Sequence, residues 1–243
     1  QTMTFASGSL ATPTLVTASA TTAQYIAAGN GGATDGSKAT YNFVSAGGAS
    51  TISELTFTVS GSTTATSVRV GSVTAPVVSG TAYLTGLALA IPNGGSGLTQ
   101  DVFVSYPEVG TNGIAPGSTS ALTLTTIKAT SGGTTTTSTV SVAAPTMTLV
   151  GSKPTLTLPS TQATGLSISG TTKIGEVTVT ADAKGDIKIN TLPLTFTGNA
   201  AGTTTTPGTL VVKNAAGSTI AAVTIGSVTG SGTSAATATI TFT

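Results

Sequence analysis

Seven carboxylates carry most of the acid–base chemistry this sequence could offer: Asp35, Glu54, Asp101, Glu108, Glu176, Asp182 and Asp186. Histidine and cysteine are absent. That removes every Ser/His/Asp and Cys/His arrangement, together with the usual zinc ligands. A glycosidase needs two carboxylates flanking a sugar bond, and any two of these would serve on paper. Sites of that kind also need a pocket with convergent polar and aromatic groups, and the chain has no Trp and only four Tyr. We therefore expect no enzyme and no cofactor. Asp182 and Asp186, in the run Asp-Ala-Lys-Gly-Asp, could offer oxygens to calcium. Two carboxylates fall short of the six to eight oxygens that ion takes, so the run reads as a polar hairpin tip. A Lys–Asn or Lys–Asp isopeptide crosslink near Glu54 is a further option, set against Glu54 as a strand-edge charge that blocks unwanted pairing. Gly94-Gly95-Ser96-Gly97 opens no helix and carries no phosphate-loop signal.

The elements that would position such groups are strands. Leu55, Phe57 and Val59 alternate with Thr56, Thr58 and Ser60, and Leu122 and Leu124 alternate with Thr123 and Thr125. Val177 and Val179, then Leu192, Leu194 and Phe196, then Ile240 and Phe242, repeat the pattern. Each run places apolar residues on one face and hydroxyls on the other, so Leu55, Phe57, Leu192, Leu194 and Phe196 are expected in cores. Asn30-Gly31, Asn93-Gly94 and Asn112-Gly113 supply turns with positive φ. No long segment shows a period of 3.6, although residues 21–28 could hold one helical turn.

Composition narrows the function. Charged residues make up 6% of the chain, against roughly 25% in ordinary globular proteins. Threonine supplies 56 of the 243 residues, so the surface is covered by hydroxyls. A mean hydropathy of +0.37 and abundant β-branched residues argue for a packed sheet protein and against disorder. The net charge is +1 and the cations are scattered singly, which does not suit nucleic acid. A chain with so little self-repulsion is suited to packing against copies of itself. No apolar run approaches the ~20 residues of a membrane span. Gln1 in place of Met points to a mature end left by signal-peptide removal and hence to secretion. No Asn-x-Ser/Thr acceptor is present; O-glycosylation of threonines stays open.

The sequence also repeats itself in order. Thr2-Met3-Thr4-Phe5-Ala6-Ser7-Gly8-Ser9 matches Thr146-Met147-Thr148-Leu149-Val150-Gly151-Ser152, and each is followed by Pro-Thr-Leu, at Pro13 and Pro154. Ser37-Lys38 matches Thr172-Lys173, and residues 52–61 match residues 189–198. Val70-Gly71-Ser72-Val73-Thr74 matches Ile225-Gly226-Ser227-Val228-Thr229. These matches predict an all-β chain of two antiparallel β-sandwich domains of Ig-like or jelly-roll-like type. The first spans 1–144, with an N-terminal strand at about 1–10, and the second spans 145–243.

A chain rich in Thr, Ser, Gly and Ala, without Cys and with a β-prone Thr2-Met3-Thr4-Phe5 at its start, resembles the secreted subunits of donor-strand filaments. These include archaeal threads, archaeal bundling pili and TasA-type biofilm fibres. The resemblance implies an extracellular structural subunit whose partners are copies of itself, polymerising head to tail. In that reading Thr2, Met3, Thr4 and Phe5, with Leu10 as a further anchor, form the donor strand. It adds to the second domain of a neighbour, as Thr146-Met147-Thr148-Leu149 bridges the two domains within one chain. A surface-layer or capsid-type lattice protein and a cell-surface adhesin are the alternatives.

Overall fold

Alternation of apolar and hydroxyl side chains becomes strand through most of the described residues, and no helix occurs among them. The computed structural model describes residues 8–16, 24–61, 65–111, 113–158, 173, 175–200, 209–224 and 232–241. The first compact unit comprises residues 1–187 and the second residues 188–243.

The first unit opens with β1 (Ser9–Leu10), β2 (Thr14–Leu15), β3 (Tyr25–Ala27) and β4 (Ala33–Phe43). Next come β5 (Ser45–Ala46), β6 (Ser50–Val59), the hairpin β7 (Ser67–Val70) and β8 (Val73–Pro76), and β9 (Thr81–Ile91). β10 (Leu98–Tyr106), β11 (Thr119–Ser120), β12 (Leu122–Ser131), β13 (Thr134–Ala143) and β14 (Met147–Val150) follow. β15 (Thr155–Thr157) and β16 (Thr178–Thr180) make a ribbon of their own.

Two larger sheets carry the first unit, one ordered β2-β4-β10-β7-β8 and the other β13-β12-β6-β9. Their pairings are all antiparallel. Ala39, Tyr41 and Phe43 of β4, Val102 and Val104 of β10 and Val68 and Val70 of β7 are buried. So are Leu55 and Phe57 of β6, Leu84 of β9, and Leu122, Leu124 and Ile127 of β12, and all join one hydrophobic cluster. The rings of Tyr41 and Phe57, one from each sheet, lie 5.9 Å apart at 57°. Each such side chain contributes about 1.5–3 kcal/mol through burial. Against β12, Ser53 is an extra residue in β6 between Ile52 and Glu54; this bulge brings Ile52 back into phase, so that it is buried along with Leu55. A third sheet, β11-β14-β3, contains a parallel pair, β14 with β3.

The second unit holds β17 (Thr191–Ala200), β18 (Thr209–Lys213), β19 (Thr219–Thr224) and β20 (Gly232–Thr241). Among the described residues these form two separate antiparallel ribbons, β17 with β20 and β18 with β19.

The pairings expose the repeat. β2 pairs β4 as β15 pairs β16, and β6 pairs β9 as β17 pairs β20. In both halves these strands follow one another in the same order. The match of Val70–Thr74, across the β7–β8 turn, with 225–229 lies outside the described residues.

Two local expectations change. The possible helical turn at 21–28 is a strand where it is described, because β3 finds a ladder in β14. Asp182 does head a turn, since its side chain accepts from the Lys184 N–H at 2.8 Å and its carbonyl from the Gly185 N–H. The runs on either side do not pair with each other: β16 takes β15 and β17 takes β20. Sequence places a domain boundary after residue 144; the first compact unit runs on to Ile187, with β14 in its core and the Asn30 N–H donating to the Lys184 carbonyl at 2.8 Å.

Candidate functional site

Three ion pairs cross between strands among the described residues. Arg69 on β7 donates to both oxygens of Asp35 on β4, at 2.7–3.1 Å, and lies 4.3 Å over the Phe103 ring. Lys128 on β12 meets Glu54, its register partner on β6, at 2.7 Å. Lys38 and Thr40 on β4 both donate to Asp101 on β10; the Thr40 bond first, then Lys38, holds this carboxyl below its usual range. Lys173 pairs with Glu176. No group of three or more potential metal ligands occurs among the described residues. Glu54, weighed above as the acid beside a crosslink, stands in an ordinary half-exposed ion pair.

Burial pushes the Tyr41 phenol well above its ordinary pKa. Burial also raises that of Tyr106, against the opposing effect of hydrogen bonds with Ser37 and Ser120. Ser37, Tyr106, Ser120 and Met147 are among the residues lining a void of about 10 Å³. That is room for one water at most, and it lies under β14.

β14 is the most informative element. It opens the second sequence repeat, yet it completes the first unit. Met147 is 5% exposed and Leu149 0%. Thr148 lies opposite Thr119 of β11 on one side and Tyr25 of β3 on the other. Its N–H donates to the Gln24 carbonyl at 2.9 Å, while the Leu149 N–H donates to Ser118 at 2.8 Å. The Leu149 and Val150 carbonyls accept from Gly117 and Ala28, each at 2.8 Å. Alternation sends Met147 and Leu149 into the core and leaves Thr148 and Val150 half-buried. A four-residue Thr-Met-Thr-apolar segment thus fills a slot between two short strands with bonds on both edges.

Of the expected donor residues, Thr2, Met3, Thr4 and Phe5 lie outside the described residues. Leu10 is placed in β1, where it pairs with Ser45 of the same chain and packs, partly buried, on its core. The Ala11 N–H donates to Val44 at 3.0 Å and the Val16 N–H to Thr40 at 2.8 Å. Leu192 is half-buried on β17, and the side chains of Leu194 and Phe196 lie outside the described set. Beyond β14, Leu156 is 58% exposed, Leu158 68% and Ile220 48%.

Sequence reasoning overlooked β3 and β11 as the walls of the β14 slot. Two- and three-residue strands give no periodicity to find, and their pairing is set by residues more than a hundred positions away in β3 and about thirty away in β11. The buried hydroxyls of Ser37 and Ser120 were equally hidden among the many Ser and Thr. No helix among the described residues is long and apolar enough to cross a membrane. No protein-family model matches the chain, and no curated protein matches it.

Proposed function

We propose that this protein is a secreted, non-enzymatic structural subunit of an extracellular filament, joined head to tail with copies of itself by donor-strand exchange. The observation that carries this reading is the burial of Met147 and Leu149 in the first unit. The strand that begins the second repeat completes the fold of the first. Thr2-Met3-Thr4-Phe5 begins the first repeat and has the same pattern. It completes the second repeat of the preceding subunit, so each bond between subunits copies the bond within a chain. Such a contact is heterologous and does not close, which makes a fibre.

The second unit is suited to receive a strand. Among the described residues its sheets are two-stranded, and three or more strands are needed for independent stability. In the assembled form both repeats are antiparallel β-sandwiches, the second completed by its neighbour. Met3 and Phe5 are the inward anchors; their burial contributes a gross ~3–6 kcal/mol before ordering costs.

The test is electron microscopy of the full chain beside a Met3→Asp/Phe5→Asp variant. Wild type forms filaments, and the variant stays a folded single subunit with an unchanged far-ultraviolet spectrum. Filaments formed equally by both would end the donor-strand reading. Shells, sheets or monomers from wild type would favour a lattice or adhesin role instead.

A further inference from the structure

Among the described residues, sheet edges in the first unit are blunted in different ways, with one exception. β2 and β11 are two residues long and β3 is three. β8 carries Pro76 in its ladder, which removes a donor. β9 is interrupted where it loops out around Gly86, at φ +74. These are the devices by which sheet proteins avoid edge-to-edge association. β13 has none of them along Thr134–Thr139. It forms an edge of its sheet, is ten residues long, and contains no Pro and no charge. Its one irregularity against β12 lies beyond Thr139. Thr134 to Thr137 and Thr139 are exposed, and no described residue pairs with the outer side of this stretch. The Val142 carbonyl, further along, accepts from the Tyr41 hydroxyl at 3.4 Å, so the open part is the Thr134–Thr139 half.

We infer that this half of β13 pairs with β13 of a second copy, antiparallel and about a two-fold axis, joining two four-stranded sheets into one of eight. The stretch Thr-Thr-Thr-Thr-Ser-Thr reads nearly the same in both directions, so an antiparallel self-pairing opposes hydroxyl to hydroxyl at each step. Thr–Thr and Thr–Ser pairs across a ladder are favourable, whereas like charges directly opposed are not. The one charge on the adjacent strand, Lys128, lies opposite Thr137 but is engaged by Glu54. A hydroxyl ladder already crosses β12 and β13, where Thr130 and Thr135 Oγ1 atoms are 2.8 Å apart. The net charge of +1 supplies almost no long-range repulsion between copies. The contact is isologous and self-limiting. It supplies side-by-side association and does not depend on how subunits join end to end.

Geometry makes the pairing testable. Residues directly opposed in an antiparallel ladder share a face of the sheet. A two-fold pairing therefore sets one residue of β13 opposite its own copy. The protein has no cysteine, so single replacements Thr135→Cys, Thr136→Cys, Thr137→Cys, Ser138→Cys and Thr139→Cys report that residue in the otherwise unaltered full chain. Tyr83→Cys, on the exposed face of the interrupted edge β9, gives the background. Under mild oxidation, one β13 position should form disulfide-linked dimers at least about tenfold faster than Tyr83→Cys, through its high effective concentration. Yield should fall on either side of that position. Adding lysines at the flanking threonines should abolish the advantage without lowering the melting temperature. The inference is overturned if no β13 position exceeds the background, or if the fast position keeps its rate with the lysines present.

Discussion

β6 in the first unit and β17 in the second are alike in sequence and unlike in company. Ile52-Ser53-Glu54-Leu55-Thr56-Phe57-Thr58 and Ile189-Asn190-Thr191-Leu192-Pro193-Leu194-Thr195 share one alternation. β6 lies between β12 and β9, and its Leu55 and Phe57 are 1% and 0% exposed. β17 has one partner, β20, among the described residues, and its Leu192 is only half-buried. The difference teaches that period-two patterning specifies a strand and its inward face, whereas the depth of burial depends on how many neighbours the strand finds. The first repeat finds them within the chain, down to β14. The second, on our reading, finds its missing neighbour in another subunit.

The largest expected effect follows from that contrast. Leu55→Ala should destabilise the first unit by about 2–5 kcal/mol, the usual range for a fully buried leucine. Leu192→Ala should cost clearly less in the free subunit. Separate melting of the two units by calorimetry would show this, and equal losses at the two sites would break the comparison. The same Leu192 change should cost more in the filament, where β17 gains cover. A filament melting temperature indifferent to Leu192 would place the added strand elsewhere.

A smaller effect concerns alkaline pH. Burial raises the Tyr41 phenol, so the folded chain holds a proton that the unfolded chain releases above its ordinary value of about 10. Stability is then full below that pH and declines as pH rises beyond it. Tyr41→Phe should flatten this alkaline decline in the first unit, measured as melting temperature against pH. An undiminished slope would mean that Tyr41 is not the group responsible.

The smallest effect concerns acid. Asp101 is held low by Thr40 and Lys38, so its contribution is present above the ordinary carboxylate range and is lost as pH falls through the lowered value. The pair is over one-third exposed, and exposed pairs are worth about 0–1 kcal/mol. Asp101→Asn should remove a slight acid sensitivity in the first unit, visible only in a direct comparison of melting curves between acid and neutral pH.

Much of the fold was legible. The alternating runs around Leu55, Phe57, Leu122 and Leu124 became strands with those side chains inside. The ordered matches named no partners; that β2 pairs β4 and β15 pairs β16, and that β6 pairs β9 and β17 pairs β20, comes from the ladders alone. The place of β14 was not legible. A tetrapeptide carries no information on which repeat it completes, and only its bonds to Gln24 and Ser118 disclose that. The bulge that re-phases Ile52 was hidden for a related reason: the pattern reads as a simple break until the partner strand β12 shows that Ser53 is extra. Nor could alternation distinguish β13 as an unblunted edge, since edges exist only once the sheet order is known.

The most direct measurement uses the full-length Met3→Asp/Phe5→Asp variant, whose own strand is disabled as a donor, and a synthetic peptide of residues 1–10. Calorimetry should show the second unit melting higher as peptide is added, while the first is unmoved. At a hundredfold excess over its dissociation constant the peptide should contribute about 2.7 kcal/mol. A peptide carrying the same two aspartates should do nothing. A second unit indifferent to the native peptide at every concentration, or a rise confined to the first unit, would contradict the claim that one subunit's first strand completes the preceding subunit's second repeat.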